Sequence, residues 1–151
     1  MKALTLYDPW ATLAVLGEKQ FETRSWGTSY RGLLAIHSSK NMKESGIAYS
    51  SLLFRDALGD AMFHPGCIIG TVEVVGVYAT SALVKPALED RADIHRVGSP
   101  WPISKKEDAF GDYSPGRWAW ELRNPHQLAT PIPCKCSMGI WTVPPEIAEL
   151  A

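Results

Sequence analysis

The chain never sustains one hydrophobic rhythm for long. Its apolar residues fall in short runs, about four to twelve residues each, and each run is closed by a turn signal. Lys2–Leu6, Phe21–Trp26, Gly32–His37, Cys67–Tyr78 and Arg117–Arg123 read as strands. Asp8-Pro9, Gly27-Thr28-Ser29, His64-Pro65-Gly66 and Ser114-Pro115-Gly116 punctuate them. Gly32–His37 is almost unbroken in apolar residues, which suits a strand buried on both faces. Cys67–Tyr78 is the strongest run, and Gly70 and Gly76 mark bends in it. Alternation puts Trp118, Trp120 and Leu122 on one face of the fifth run. A last extended segment begins at Pro131-Ile132-Pro133 and passes through Met138-Gly139-Ile140-Trp141, before Pro144-Pro145 opens a terminal helical turn. So many short strands expose many edges, and a small sheet protects them best by curling on itself.

Helical signals are few. Asp8 reads as an N-cap with Pro9 at the first helical position; the helix continues through Trp10, Leu13, Ala14 and Leu16 and stops at Gly17. Met42–Leu58 reads as a second helix through Ile47, Leu52 and Leu58. Residues 79–112, charged and interrupted by Pro86, Pro100 and Pro102, read as a less regular insertion. The length of 151 residues, 46% of them apolar, suits one domain over 1–151 with one core. The expected class is α+β: a small barrel of five to six strands with two to three flanking helices.

Composition excludes several functions. No apolar stretch approaches the ~18–20 residues of a membrane helix, and the N-terminal run is too short for a signal peptide, so a cytoplasmic protein is expected. Three cysteines, Cys67, Cys134 and Cys136, make no disulfide framework, and Cys134-Lys135-Cys136 lacks a second pair. His37, His64, His95 and His126 are scattered, so no metal site is expected and no cofactor is implied. A net charge of −1 provides no overall field toward nucleic acid. Residues 1–40 nevertheless hold five Lys/Arg against three Asp/Glu, and residues 41–110 seven against nine. A nucleic-acid site would have to be a local patch.

Gly17-Glu18-Lys19-Gln20-Phe21-Glu22-Thr23-Arg24 is the most informative stretch. It lies where a helix ends and a strand begins. Alternation places Glu22, Arg24 and Trp26 on one face and Phe21 and Thr23 on the other, with Lys19 at the turn, free to reach the same edge. Spacing alone allows a plain surface pair of Glu22 with Arg24, worth ~0–1 kcal/mol.

The spacing Gly17, Lys19, Glu22, Arg24 resembles the G-x-K-x-x-E-x-R signature of the ASCH domain (activating signal cointegrator-1 homology), a family of the PUA-like superfamily of RNA-binding barrels. Asp8-Pro9-Trp10-Ala11 resembles the opening of that family's first helix. Tyr30-Arg31-Gly32 leading to His37, Gly70-Thr71-Val72-Glu73-Val74, and Gly116-Arg117-Trp118-Ala119-Trp120-Glu121-Leu122 followed by Pro131-Ile132-Pro133 resemble its later strands. The resemblance covers roughly residues 1–143, with 79–112 poorly matched, and implies a PUA-like barrel whose cleft lies between the first helix and the sheet.

It also implies an RNA or nucleotide ligand. In one branch, amidohydrolases acting on N4-acetylcytidine use a Lys, a Thr and a Glu; Lys19 and Glu73 match two of these, and Glu22 stands at the Thr position. Without a hydroxyl there the covalent route is disfavoured. Other members resemble ribonucleases, for which His37, Glu22 or Glu73, with Lys19 and Arg24, are candidate catalytic groups. Candidate ligand contacts are Trp10, Arg24, Trp26, Tyr30, Arg31, Ser38, Ser39 and Lys40: aromatic rings to stack on bases, cations and hydroxyls to meet phosphate. Glu73 is expected to point inward toward Lys19 or Arg24. Three functions stay open: binding of single-stranded RNA or a nucleotide, hydrolysis in the same cleft, and protein interaction without nucleic acid.

Overall fold

The computed structural model describes residues 1–83 and 103–151. Six strands form one curled sheet: β1 Lys2–Leu6, β2 Phe21–Arg24, β3 Gly32–Ser38, β4 Cys67–Ala79, β5 Trp118–Pro133 and β6 Ile140–Thr142. Their order is β2-β5-β4-β3-β1-β6. β1 and β3 run parallel, and the other neighbours are antiparallel. The helices are α1 Trp10–Val15, α2 Leu52–Leu58, α3 Lys105–Phe110 and α4 Pro145–Ala148, with 3₁₀ turns at Ser45–Tyr49 and Thr80–Ala82. The architecture is of the expected α+β small-barrel class, its six strands curled into a half-barrel, with four helices among the described residues where two to three were expected.

Alternation decides the core. Leu4, Leu6, Leu34, Ile36, Val72, Val74, Trp120 and Leu122 point into the curl, where Ala11, Ala14 and Val15 of α1 fill its mouth. The opposite residues of the same central strands, Ala3, Ala35 and Ile68, bury a second layer with Ile132, Trp141 and Val143. β3 is therefore covered on both faces, as its unbroken apolar run predicts.

α1 is held at its start by Asp8, whose Oδ1 accepts from Thr12 N at 3.1 Å and from Thr12 Oγ1 at 2.7 Å. Gly17 ends the turn with φ +80°, a conformation that favours glycine. Gly70 and Gly76 both fall at register shifts of the β4–β5 ladder, where the strand bends.

Three expectations change. The helix over Met42–Leu58 is two pieces, because Ser51 caps α2 by accepting from Phe54 N and so breaks the run. The fifth strand does not stop at Arg123 but continues to Pro133 through Asn124, whose φ is +49°. Trp118 does not join Trp120 and Leu122 in the core; it is exposed and lies over Gly27. Most of the irregular 79–112 segment lies outside the described residues.

Candidate nucleic-acid interface

β2 and β6 are the two edges of the sheet, and the curl brings β2 beside β1, which is not its ladder neighbour. Arg24, the last residue of β2, reaches across: Nη2 donates to Thr5 O at 2.9 Å. Around this tie the seam opens as a cleft of about 1070 Å³. Its walls are the end of β1 with Tyr7, the start of α1 at Trp10, residues 22–26, residues 109–112 with Arg117, and the 136–139 loop before β6. Ser39 and Ile47 complete it.

The signature residues stack from the interior outward. Lys19 is 1% exposed. Its Nζ donates to Phe21 O at 2.6 Å and Phe110 O at 3.0 Å, and lies 3.6 Å from Glu22 Oε1. Glu22 borders the cleft; Oε1 accepts from Thr23 N at 3.0 Å, and Oε2 is 3.4 Å from Arg24 Nη2. Lys19 thus stands behind Glu22 rather than at a free turn, because the ammonium is drawn to the carbonyl that ends α3. A buried cation persists only with such partners. Below it Glu107 accepts from Gln20 N at 2.6 Å, and burial pushes its carboxyl up from the usual carboxylate range.

Aromatic residues share the cleft with Arg24. Trp10 and Trp26 border the cleft as predicted. Trp26 is exposed on it and rests against Trp120, with centroids 4.9 Å apart and planes at 80°. Tyr7 joins them, with Lys43 Nζ 4.8 Å from its ring centre. Ser39 also borders the cleft.

Other predicted residues are placed elsewhere. His37 shares its face of β3 with Ala35, so it sits in the second layer: Nε2 is 2.8 Å from Cys134 O, Nδ1 3.3 Å from Thr5 Oγ1, and Trp141 meets it edge-on. Burial lowers its pKa. Glu73 faces outward, because Val72 and Val74 take the inward positions of β4; it accepts from Asn124 Nδ2 at 2.6 Å and meets neither Lys19 nor Arg24. Ser38 is buried and donates to Asp8. Lys40 packs over Gly66. Tyr30 donates to Leu33 O, and Arg31 closes its turn on Thr28 O at 3.0 Å and Tyr30 O at 2.8 Å.

The fold also adds residues that the patterns did not single out as ligand contacts: Tyr7, Asp112, Arg117 and the 136–139 loop. Thr23 borders the cleft as well, contrary to strict alternation, since the chain at 111–112 folds over the end of β2; its Oγ1 accepts from Asp112 N at 3.0 Å. A usable sequence signal preceded that wall. Ser104-x-x-Glu107 is a capping-box spacing, and Ser104 Oγ accepts from Glu107 N at 3.1 Å, starting α3. Among the described residues no cluster of three or more His, Cys, Asp and Glu could hold a metal. Nor is any described helix long and apolar enough to cross a membrane.

The ASCH domain model matches residues 4–131. The chain belongs to the ASCH domain family. It is 26% identical to activating signal cointegrator 1 of Mus musculus, with 97% of this chain covered, and 27% identical to the Homo sapiens protein of that name over the same share. It spans 23% of the length of either relative. Among solved structures, the crystal structure of ASCH from Zymomonas mobilis aligns with TM-score 0.53 over 98% of this chain and 90% of that one, at 13% identity. That likeness speaks for the shared fold of the ASCH half-barrel.

Proposed function

We propose that this ASCH protein binds single-stranded RNA or a nucleotide in the seam cleft. One observation carries this: Arg24, a guanidinium only partly spent, lines the same cavity of about 1070 Å³ as Tyr7, Trp10 and Trp26. Its ion pair with Glu22 is a single 3.4 Å approach, not a bidentate fork. Lys19 supplies countercharge to Glu22 from behind, so the outward N–H groups of Arg24 remain available to an anion. Aromatic faces next to a cation suit a base next to its phosphate.

Binding accounts for the residues the fold gathers better than hydrolysis does. The ribonuclease scheme draws on His37 and on Glu22 or Glu73; His37 and Glu73 lie outside the cleft walls, and Glu22, which borders them, is engaged by Lys19 and Arg24. The amidohydrolase scheme needs a nucleophile where Glu22 stands. The test is titration of a short oligouridylate across salt concentrations. Arg24→Ala is expected to weaken binding and reduce the salt slope by about 0.7, the share of one phosphate contact on a single strand. The same protein incubated with N4-acetylcytidine or RNA is expected to release no product. An unchanged slope in folded Arg24→Ala would move the ligand elsewhere, and rapid cytidine release would replace binding by hydrolysis. No binding to any nucleic acid would leave the protein-interaction reading.

A further inference from the structure

Arg24 is not the only guanidinium on the cleft. Arg117 borders it too, just ahead of β5. In the β2–β5 ladder Arg24 is opposite Trp118, so Arg117 follows diagonally on the adjacent chain. The two arginines are similarly poised: their side chains are 24% and 27% exposed, and each meets a carboxylate at a single 3.4 Å approach, Glu22 for one and Asp112 for the other. Each also leans on backbone. Arg117 Nε donates to Asp112 O at 3.1 Å and Nη2 to Thr23 O at 3.4 Å. These contacts fix both heads and leave Nη1 of each uncommitted.

Two cations lining one cleft favour an anionic ligand between them. Glu22 cannot move to serve both, because Lys19 and the Thr23 N–H hold it. Asp112 is held through Oδ1 by Ser114 N, but its contact with Arg117 runs through Oδ2 of a well-exposed side chain at the rim, a contact a competing anion can displace. The cleft therefore has one fixed and one displaceable countercharge. From this we propose that Arg117 is a second phosphate-binding residue and that the cleft takes a ligand with two phosphate groups, Arg24 on one and Arg117 on the other. This rests on the nucleotide-binding reading above and adds its stoichiometry. Two phosphates arise either along an RNA strand or in a nucleoside diphosphate.

Three ligands separate the cases: a 5′-phosphorylated uridine dinucleotide with two phosphates, uridylyl-uridine with one, and uridine diphosphate with two on one base. The doubly phosphorylated dinucleotide is expected to show a salt slope of about 1.4 and uridylyl-uridine about 0.7. Arg117→Gln should bring the first down to the second in both slope and affinity, with Arg24 intact. Asp112→Asn keeps an Oδ1 acceptor for Ser114 N, bonded at 3.0 Å, while removing the competing charge. It should tighten the doubly phosphorylated ligand about two- to fivefold, the worth of an exposed ion pair. A merely structural Arg117–Asp112 pair would weaken binding in that variant. Uridine diphosphate matching the dinucleotide names the diphosphate as the ligand; weaker binding names the strand, and the two-phosphate site stands in either case. An unchanged slope in folded Arg117→Gln, or equal affinity for one and two phosphates, overturns it while leaving single-phosphate binding intact. Failure of all three ligands to bind would overturn the nucleotide-binding reading itself.

Discussion

Lys19 shows what a motif hides at the scale of a residue. Its spacing from Glu22 and Arg24 was plain in the sequence, but its depth was not. Depth depends on Phe110 O, which arrives from ninety-one residues further along the chain. Removing the ammonium would take the donor from two buried carbonyls and leave Glu22 with Arg24 as its one cation among the described residues, and breaking a buried pair costs about 3–5 kcal/mol. Lys19→Met is therefore expected to lose about 3 kcal/mol in chemical denaturation, whereas a ligand-contact lysine would cost affinity and little stability. His37 makes a second residue-scale case. Its type suggested catalysis; its alternation with Ala35 placed it under Trp141. Burial holds its folded pKa below the ordinary 6.5. The unfolded chain then takes up a proton that the folded one refuses, so stability present above about pH 6.5 is lost as pH falls through that value toward the folded pKa. Glu107 acts oppositely, since its raised folded pKa favours folding as pH falls toward 4.5. The diagnostic quantity is the difference between wild type and His37→Gln. The variant should show a flatter stability profile between about pH 7 and 5, and parallel profiles would mean that His37 does not titrate with unfolding.

At the scale of the element, the strands were legible because their period of two matches one or two buried faces, and the glycines of β4 announced its bends. Gly70 does more than bend the strand. A Cβ there would lie 2.4 Å from His126 O and 2.7 Å from Val15 Cγ1, so the β5 backbone and α1 both press on it. Gly70→Ala must push apart a helix and a strand that frame the core, and is expected to cost about 2 kcal/mol or more, in the range of overpacked cores. Gly46, with nothing within 4 Å of its Cβ position, is the control: Gly46→Ala should leave the melting temperature nearly unchanged. Equal effects at the two positions would show that crowding at Gly70 does not set the cost. The helix boundaries were less legible. Ser51 offers a cap inside what the apolar spacing reads as one helix, and a cap outweighs loose periodicity when the apolar positions are sparse. β5 was read short for a related reason: Pro125 and Pro131 argue against a strand, yet near a sheet's bends the ladder shifts register and tolerates them.

At the scale of the molecule, the cleft belongs to no single stretch of sequence. The signature supplies Glu22 and Arg24, but the wall that faces them comes from 109–112, and the rim from Tyr7 and the 136–139 loop. Their meeting follows from the curl of the sheet, a tertiary event that local pattern does not encode. The aromatic and cationic content of the site was therefore readable, while Arg117 and Asp112 were not. The same topology makes a ligand in the seam a clamp. It would tie the end of β1, the edge strand β2 and the approach to β5, segments that otherwise meet there through the Arg24–Thr5 bond and the Asp112 and Arg117 contacts with Thr23. Binding to the folded state alone stabilises by about 2.7 kcal/mol at a ligand concentration one hundred times Kd. For a domain of this size each kcal/mol is worth about 2–4 °C. A saturating short oligouridylate should thus raise the melting temperature by about 5–10 °C, in one transition, with the shift shrinking as salt is added. Arg24→Ala should reduce it at the same ligand concentration. Binding without a thermal shift would mean that the ligand also holds the unfolded chain, which a seam built only by folding does not allow.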